Sequence, residues 1–595
     1  MLLGQAKKFT ATTASVPAPI GGWNSRDSLA QMAPTDAVQL VNFFPTPTDV
    51  SLRKGYTVIS TGITGKVNSL MNYNIATGGN KLFAAAGTRI YDASQNPAVQ
   101  VFTGLTGDKF THIAISNTSG NYLVACNGVD PTLIYDGSNW FKIATTTTSQ
   151  TISSITRGGT GNLTATLVTA APHNLITGNR VTISGATPTQ FNGTYVITVT
   201  NSTTFTYTMA SAPSGNATVM GTYTTIGITG VDSSRFINVN LFKNRLYFTE
   251  KDSLTCWFLP VDSIGGAASP LYFGSIARNG GYLQAMGTWT LDAGQGADDY
   301  AVFVTSMGEV IVYNGTDPNT AATWELKGVW QLGQTFARKC FFKWSGDLLL
   351  LTQDGLVPLA SALQSSRLDP RVNLTDKIFY SVSIAATNYY ANYGWQINYF
   401  ASENMLILNI PVTNGTEQYV MHTITKSWAR FTGIDTTCWE VSGKNDMNFG
   451  GNGFVATFYT ALSDNGNNIS AFAQQAYSYF DSPGQQKRFT LVRPILQSDG
   501  GTPSFLCGIA VDFDTQFNLG AISFNPNTAS VGKWDSAIWD SAAWNWGSGT
   551  LITTKQWQGV TGIGFSASMA IQVVSQGIDL HWASTDYVME RGGVL

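Results

Sequence analysis

The chain has 595 residues, of which 43% are hydrophobic and only 12% charged, about half the ~25% charge of an ordinary globular protein. Its 33 Lys and Arg against 36 Asp and Glu leave a net charge of −3, which excludes a basic field able to hold nucleic acid tightly by its phosphates. Sixty glycines and an aromatic content of 12% on a Thr, Ser and Asn background exclude a disordered or helix-rich chain and predict many short strands joined by tight turns.

The N-terminus, MLLGQAKKFT, lacks an apolar run after Lys7 and Lys8, so no secretory signal is expected. No stretch reaches the ~18 apolar residues of a spanning helix, and no membrane anchor is expected. The five cysteines, Cys126, Cys256, Cys340, Cys438 and Cys507, stand far apart without a CxxC pair. They are expected as buried thiols in a reducing compartment, not as disulfides or zinc ligands. Residues 1–60 have an extended, Pro-rich pattern, with one short helix expected from Asp36 to Phe43 behind a Thr35 cap.

From Asn80 a single grammar recurs. A polar start leads into four to six strand formers, then a Gly, Asp or Asn turn and a second strand, often ending near Tyr-Asp. It begins at Asn80, Asn121, Asn244, Asp299, Gly346, Glu403 and, more weakly, Gly450. Each copy reads as a β-hairpin. Most starts lie 41–57 residues apart, the period of propeller blades. The exception, between Asn121 and Asn244, contains residues 150–226, a Thr-rich segment with Arg157 and Arg180 and no acid. Removing it restores the period, so it is expected as a small inserted β domain at the tip or exit end, entering at an exposed loop.

The expected fold is therefore all-β: a β-propeller of six to eight blades with a terminal β platform and a small inserted β domain. Its parts are 1–60 (N-terminal platform), 61–149 (first blades), 150–226 (insertion), 227–479 (remaining blades, with one helix near 375–392) and 480–595 (C-terminal platform). The helix rests on Ile378, Phe379, Val382, Ala385, Ala386, Tyr389, Tyr390 and Tyr393 at helical spacing. The last part contains KWDSAIWDSAAWNW, with Trp534, Trp539, Trp544 and Trp546. This reads as an extended aromatic strip, packed either on the platform or on a neighbouring subunit.

Three segments carry a resemblance. PIGGWNSRDSLAQMAPTDAVQLVNFFPTPTDVSLRKGY (Pro19–Tyr56) is similar to the opening of the tail-nozzle proteins of short-tailed bacteriophages, also called tail tubular protein B or phage stabilisation proteins, with their G-G-x-N-x-R-D-x-L, D-A-V-x-L-x-N-x-F-P and R-x-G-Y elements. The run Asn373–Glu440 resembles the family's helix and the blade closed by a Trp-x-Arg-Phe-Thr-Gly strand, and the W-D-S-A-x-W strip is the third match. The 150–226 segment looks like a small β repeat of phage tail and fibre proteins.

The resemblance implies a structural virion protein, made in the host bacterial cytoplasm. It would form a homohexameric ring below the portal that meets an adaptor of the tail tubular protein A type and tail fibre or tip proteins. Double-stranded DNA would pass non-specifically through its channel. It implies no enzyme activity and no cofactor. Gly22, Trp23, Arg26 and Asp27, with the four tryptophans of the strip, are the expected interface residues. A near-neutral wall suits such a channel, because each phosphate neutralised would hold the duplex back.

The alternative is a carbohydrate-binding or glycan-cleaving propeller on a virion or cell surface. A glycosidase needs two carboxylates a few ångströms apart. The adjacent candidates are Asp298 with Asp299 and Asp512 with Asp514, the latter expected on one face of a VDFD strand. The four histidines, His112, His173, His422 and His581, have no metal-ligand spacing, and the Asp464 turn lacks the Gly and Glu of a calcium loop. All of these are expected in polar or packing roles.

Overall fold

The computed structural model describes residues 11–75, 79–292, 297–344, 346–362, 372–443, 445–498, 504–514, 517, 519–522, 531–532, 543–544, 552–553 and 556–594. They divide into two compact units. One contains residues 60–369 and 452–454; the other contains 1–59, 370–451 and 455–595.

The first unit is built of consecutive antiparallel meanders, each a separate sheet. Four have four strands: Ser69–Tyr73 to Val99–Thr103, Thr111–Asn117 to Trp140–Lys142, Phe236–Phe242 to Ser269–Tyr272, and Leu283–Asp292 to Trp324–Gln331. A fifth, from Phe341–Trp344 to Gly355–Pro358, has three. The hairpins expected at Asn80, Asn121, Asn244 and Asp299 are the central strand pairs of the four-stranded sheets, and that at Gly346 is the second and third strands of the fifth.

Their central strands are almost wholly apolar because both faces are covered. One core cluster joins Met71, Phe83 and Ile90 of the first sheet to Leu123, Leu133 and Trp140 of the second. Another joins Val124, Ile134 and Phe141 of the second to Phe236, Leu246 and Phe248 of the third. A third carries Tyr247 and Phe258 onto Met286, Phe303 and Ile311 of the fourth. Sheets of four short strands, each stacked on the next through a shared apolar layer, make a β-propeller.

Between the second and third sheets, residues 152–225 form two small sheets, of four and three strands. They close on a core of their own that includes Leu167, Val181, Phe191, Phe205 and Tyr223. The acid-free segment is thus a β module with its own apolar interior.

The second unit brings the two ends of the chain together. Ala11–Pro17 pairs antiparallel with Ser584–Glu590 of the long strand Leu580–Val594, which also pairs with Gln485–Ser498 and Val50–Leu52. A ten-stranded sheet runs from Gln396–Phe400 through Trp428–Phe431 and Asp36–Val41 to Ile469–Gln475, Ala567–Ser575 and Ser504–Val511. The hairpin expected from Glu403 is therefore not a separate blade but part of this larger sheet. A further four-stranded sheet takes Trp439–Val441, Met447–Gly450 and Val455–Ala461, and its outer strand is Gly55–Ser60.

Two local expectations meet different outcomes. A helix runs from Phe379 to Tyr389 behind one 3₁₀ turn at Asp376–Ile378 and buries Val382, Ala385 and Ala386. The helix expected over Asp36–Phe43 is a strand instead, Asp36–Val41. Eight residues cannot sustain a helix alone. Here Gly22–Trp23, Trp428–Phe431 and Ile469–Gln475 all supply backbone partners, so sheet pairing overrides the capping signal.

Candidate interaction site

The N-terminal motif and the helix fold into one polar knot in the second unit. Asn24 is its centre. Its Oδ1 accepts the backbone N–H groups of Arg26 and Asp27, both at 3.0 Å, and its Nδ2 donates to Asp27 and Asp36 carboxylates at 2.8 Å. The other oxygen of Asp36 accepts the Lys377 ammonium at 2.8 Å, which also donates to the Gly21 carbonyl at 2.9 Å. The Lys377 carbonyl accepts the Ser25 and Arg26 backbone N–H groups, and the Ser381 hydroxyl donates to that of Ser25 at 2.9 Å.

Arg26 pairs with Asp27 at 2.8 Å and with Asp376. Its hydrogen bond holds the Asp27 carboxyl down at about 2, and the same bond raises the Arg26 guanidinium above its ordinary value. Gly22 has φ +79° and an added Cβ would lie 2.6 Å from the Trp428 backbone nitrogen, so a side chain is excluded by conformation and by space. Trp23 is buried edge-on against Tyr419, 5.1 Å between ring centres. Gly22, Trp23, Arg26 and Asp27 thus lie together in one loop. Trp23 faces inward, while Arg26 keeps 39% of its side chain exposed.

The D-A-V-x-L-x-N-x-F-P and R-x-G-Y elements meet in a second, drier cluster. Arg53 is 1% exposed. Its five N–H groups all have partners: Asn42 Oδ1 at 2.9 Å, the Lys54 carbonyl at 3.1 Å, the Thr432 carbonyl at 3.0 Å and both Asp464 oxygens at 2.8 and 2.7 Å. Asn42, at φ +57°, donates to the Ser470 carbonyl at 2.7 Å and accepts from the Thr432 N–H at 2.8 Å. Gly55 lets the chain pass the Ser463 carbonyl, which would lie 2.0 Å from an added Cβ.

The remaining candidates are accounted for locally. His581 sits between Asp49, 3.1 Å from Nδ1, and Asp579, 3.4 Å from Nε2. These bonds, that from Asp49 foremost, raise its imidazole to about 10 and hold both carboxyls low. The carboxylates face opposite ring nitrogens, and among the described residues no His, Cys, Asp and Glu group is arranged to hold a metal ion. Burial lowers His173 and His422, whose Nδ1 atoms accept backbone N–H groups of Leu175 and Thr425. His112 lies within the strand Thr111–Asn117.

Asp299 is tied to Lys243 at 2.6 Å and Thr290 at 2.9 Å; the Asp298 side chain lies outside the described residues. The VDFD segment is not a strand carrying two carboxylates on one face. The strand ends at Val511, and Asp512 and Phe513 take φ +46° and +67°, so Asp512 caps the Phe565 and Ser566 N–H groups at 2.7 and 2.9 Å. All five cysteines are buried, which pushes Cys126, Cys340 and Cys507 up to about 12. Trp534, Trp539 and Trp546 lie outside the described residues, as does the side chain of Trp544, whose backbone pairs in the two-residue ladder Ala543–Trp544 with Val531–Gly532.

The key partners Asp36, Asn42, Asp376, Lys377 and Asp464 were not singled out as site residues from sequence. Four of them lie inside the two matched segments, which was the available signal. Asp464 lies in the turn that lacks the Gly and Glu of a calcium loop.

No family profile and no curated protein matches the chain. Solved structures do align with it. YCF48 from Cyanidioschyzon merolae is 10% identical, over 70% of this chain and 97% of that one, at a TM-score of 0.23. The Myceliophteria thermophila Cps50 (Swd1) β-propeller domain is 8% identical, over 68% and 99%, at 0.27. Raptor from Chaetomium thermophilum is 8% identical, over 69% and 29%, at 0.31. At such scores the likeness carries no argument, and the propeller assignment rests on the stacked sheets themselves.

Proposed function

We propose that the chain is a structural component of the tail of a short-tailed bacteriophage, a ring-forming nozzle subunit that retains packaged DNA and conducts it during ejection. What supports this is the meeting of the segments that carry the resemblance. Pro19–Tyr56 and Asn373–Glu440, more than 300 residues apart, are joined by the Asn24, Asp36 and Lys377 bonds, and the buried Arg53 takes its partners from both Pro19–Tyr56 and the Thr432–Asp464 region. The motif residues thus act as joints of a scaffold, as a mechanical component requires.

The charge balance is consistent with a conduit. Residues 227–479 hold 15 basic and 20 acidic residues, a net acidic balance that gives no overall attraction for a polyanion in transit. The protein is then expected to assemble with copies of itself and with a portal-side adaptor. Mass measurement of the purified chain, alone and with candidate adaptor, tests this. A ring near six times 63.9 kDa, or a stable complex with the adaptor, is the expected result; a chain that stays monomeric under both conditions overturns it.

A further inference from the structure

Between the helix Phe379–Tyr389 and the hairpin formed by Met405–Val412 and Gly415–His422 lies a groove of about 520 Å³, within the range of small-molecule sites. We propose that it binds a neutral saccharide of one or two rings. This goes beyond the nozzle assignment and does not depend on it.

Two features of the lining point to a ligand. Trp23 and Tyr419 are only 8% and 6% exposed, yet among the described residues neither the indole N–H nor the phenol hydroxyl has a hydrogen-bond partner, and both side chains border the groove. Solvent reaches both atoms, so each is free to bond a ligand held in the groove. At the rim, the amides of Asn388 and Asn414 are exposed and equally unengaged. Together they offer donors and acceptors around an aromatic floor.

Charge then selects among ligands. The charged residues lining the groove are Glu417 and Arg430, and they pair with each other. No cation is left over for a phosphate or a sugar acid, and no carboxylate for an amine. An extended peptide finds no strand edge either, because Met405–Val412 and Gly415–His422 are each paired on both sides, the first also with Gln396–Phe400 and the second also with Trp428–Phe431. A sugar ring fits what is present: apolar C–H groups for the aromatic side chains, including Tyr389, and a rim of hydroxyls for the two amides, the indole and the phenol.

The test is saturation-transfer NMR on the full chain with glucose, galactose, mannose and N-acetylglucosamine, with glucuronic acid and a short neutral peptide run in parallel. At least one neutral sugar is expected to bind. Tyr419→Phe, which keeps the ring, and the surface double variant Asn388→Ala/Asn414→Ala should each weaken it about tenfold while the circular dichroism stays unchanged. Absence of binding by every neutral sugar, stronger binding of glucuronic acid, displacement of the sugar by the peptide, or unchanged affinity in both variants would each overturn the proposal. The ring-mass measurement reports on assembly alone, so the two readings fail separately.

Discussion

Replacing Arg53 by Met keeps an unbranched stem and removes the guanidinium with its charge. Five hydrogen bonds disappear, two of them to the Asp464 carboxylate, and Asp464 stays behind at 8% exposure without its counter-ion. The two lost contacts to Asp464 are charge-assisted, and the stranded carboxylate carries most of the penalty. Breaking one side of a buried pair in this way costs about 3–5 kcal/mol. Arg53→Lys should recover only part of that, because an ammonium has three donors and cannot match the bidentate fork.

The assay is denaturant unfolding of the full chain followed by tryptophan fluorescence, compared at constant slope so that the midpoint shift reports stability. The informative control is the double variant Arg53→Met/Asp464→Leu. With both charges gone, it should be more stable than Arg53→Met alone, since apolar replacement of a whole buried pair is often neutral. A loss below ~1 kcal/mol in Arg53→Met, of the size typical of an exposed pair, would refute the argument that this guanidinium holds the Asn42, Thr432 and Asp464 segments together.

Two further outcomes are expected. His581 gains its charge from Asp49 and Asp579, so its folded value of about 10 exceeds the ordinary 6.5; the stability it contributes is complete below pH 6.5 and is lost as pH rises towards 10, and thermal unfolding of His581→Gln should show a smaller decline across that window than the parent. Deleting residues 150–226 behind a short Gly/Ser bridge should leave the remaining sheets cooperatively folded, because the module closes on its own core; a calorimetric trace without a cooperative transition would show that the blades depend on it.

What could be read from sequence was the local part. The blade hairpins are visible because alternation and turn chemistry act within ~15 residues, and the helix at Phe379–Tyr389 because its apolar stripe is continuous. Asp36–Val41 carries a local helix signal yet is a strand, because its conformation is decided by strands at Trp428–Phe431 and Ile469–Gln475, far beyond any local window. The Glu403 hairpin was correct as a hairpin, but nothing in its alternation tells which sheet it joins. Arg53 and Asp464 stand 411 residues apart, so their pairing left no local trace beyond the R-K-G-Y motif itself. The groove at Trp23 and Tyr419 was equally hidden, since it exists only once the N-terminal loop lies against the hairpin.

The pairing of Ala11–Pro17 with Ser584–Glu590 also sets a clock. At ~5–20 residues per second of synthesis, the first strand waits about half a minute to two minutes for its partner to leave the ribosome. Gly55–Ser60 waits about two-thirds as long for its partner strand Val455–Ala461. The meanders of the propeller unit, by contrast, pair strands made within seconds of each other. Blades can therefore close while the chain is still being made, whereas the sheet uniting its two ends can form only after translation reaches the last strand. During that interval an unpaired N-terminal strand is exposed, and the growing chain is most open to mispairing with its neighbours on the same message.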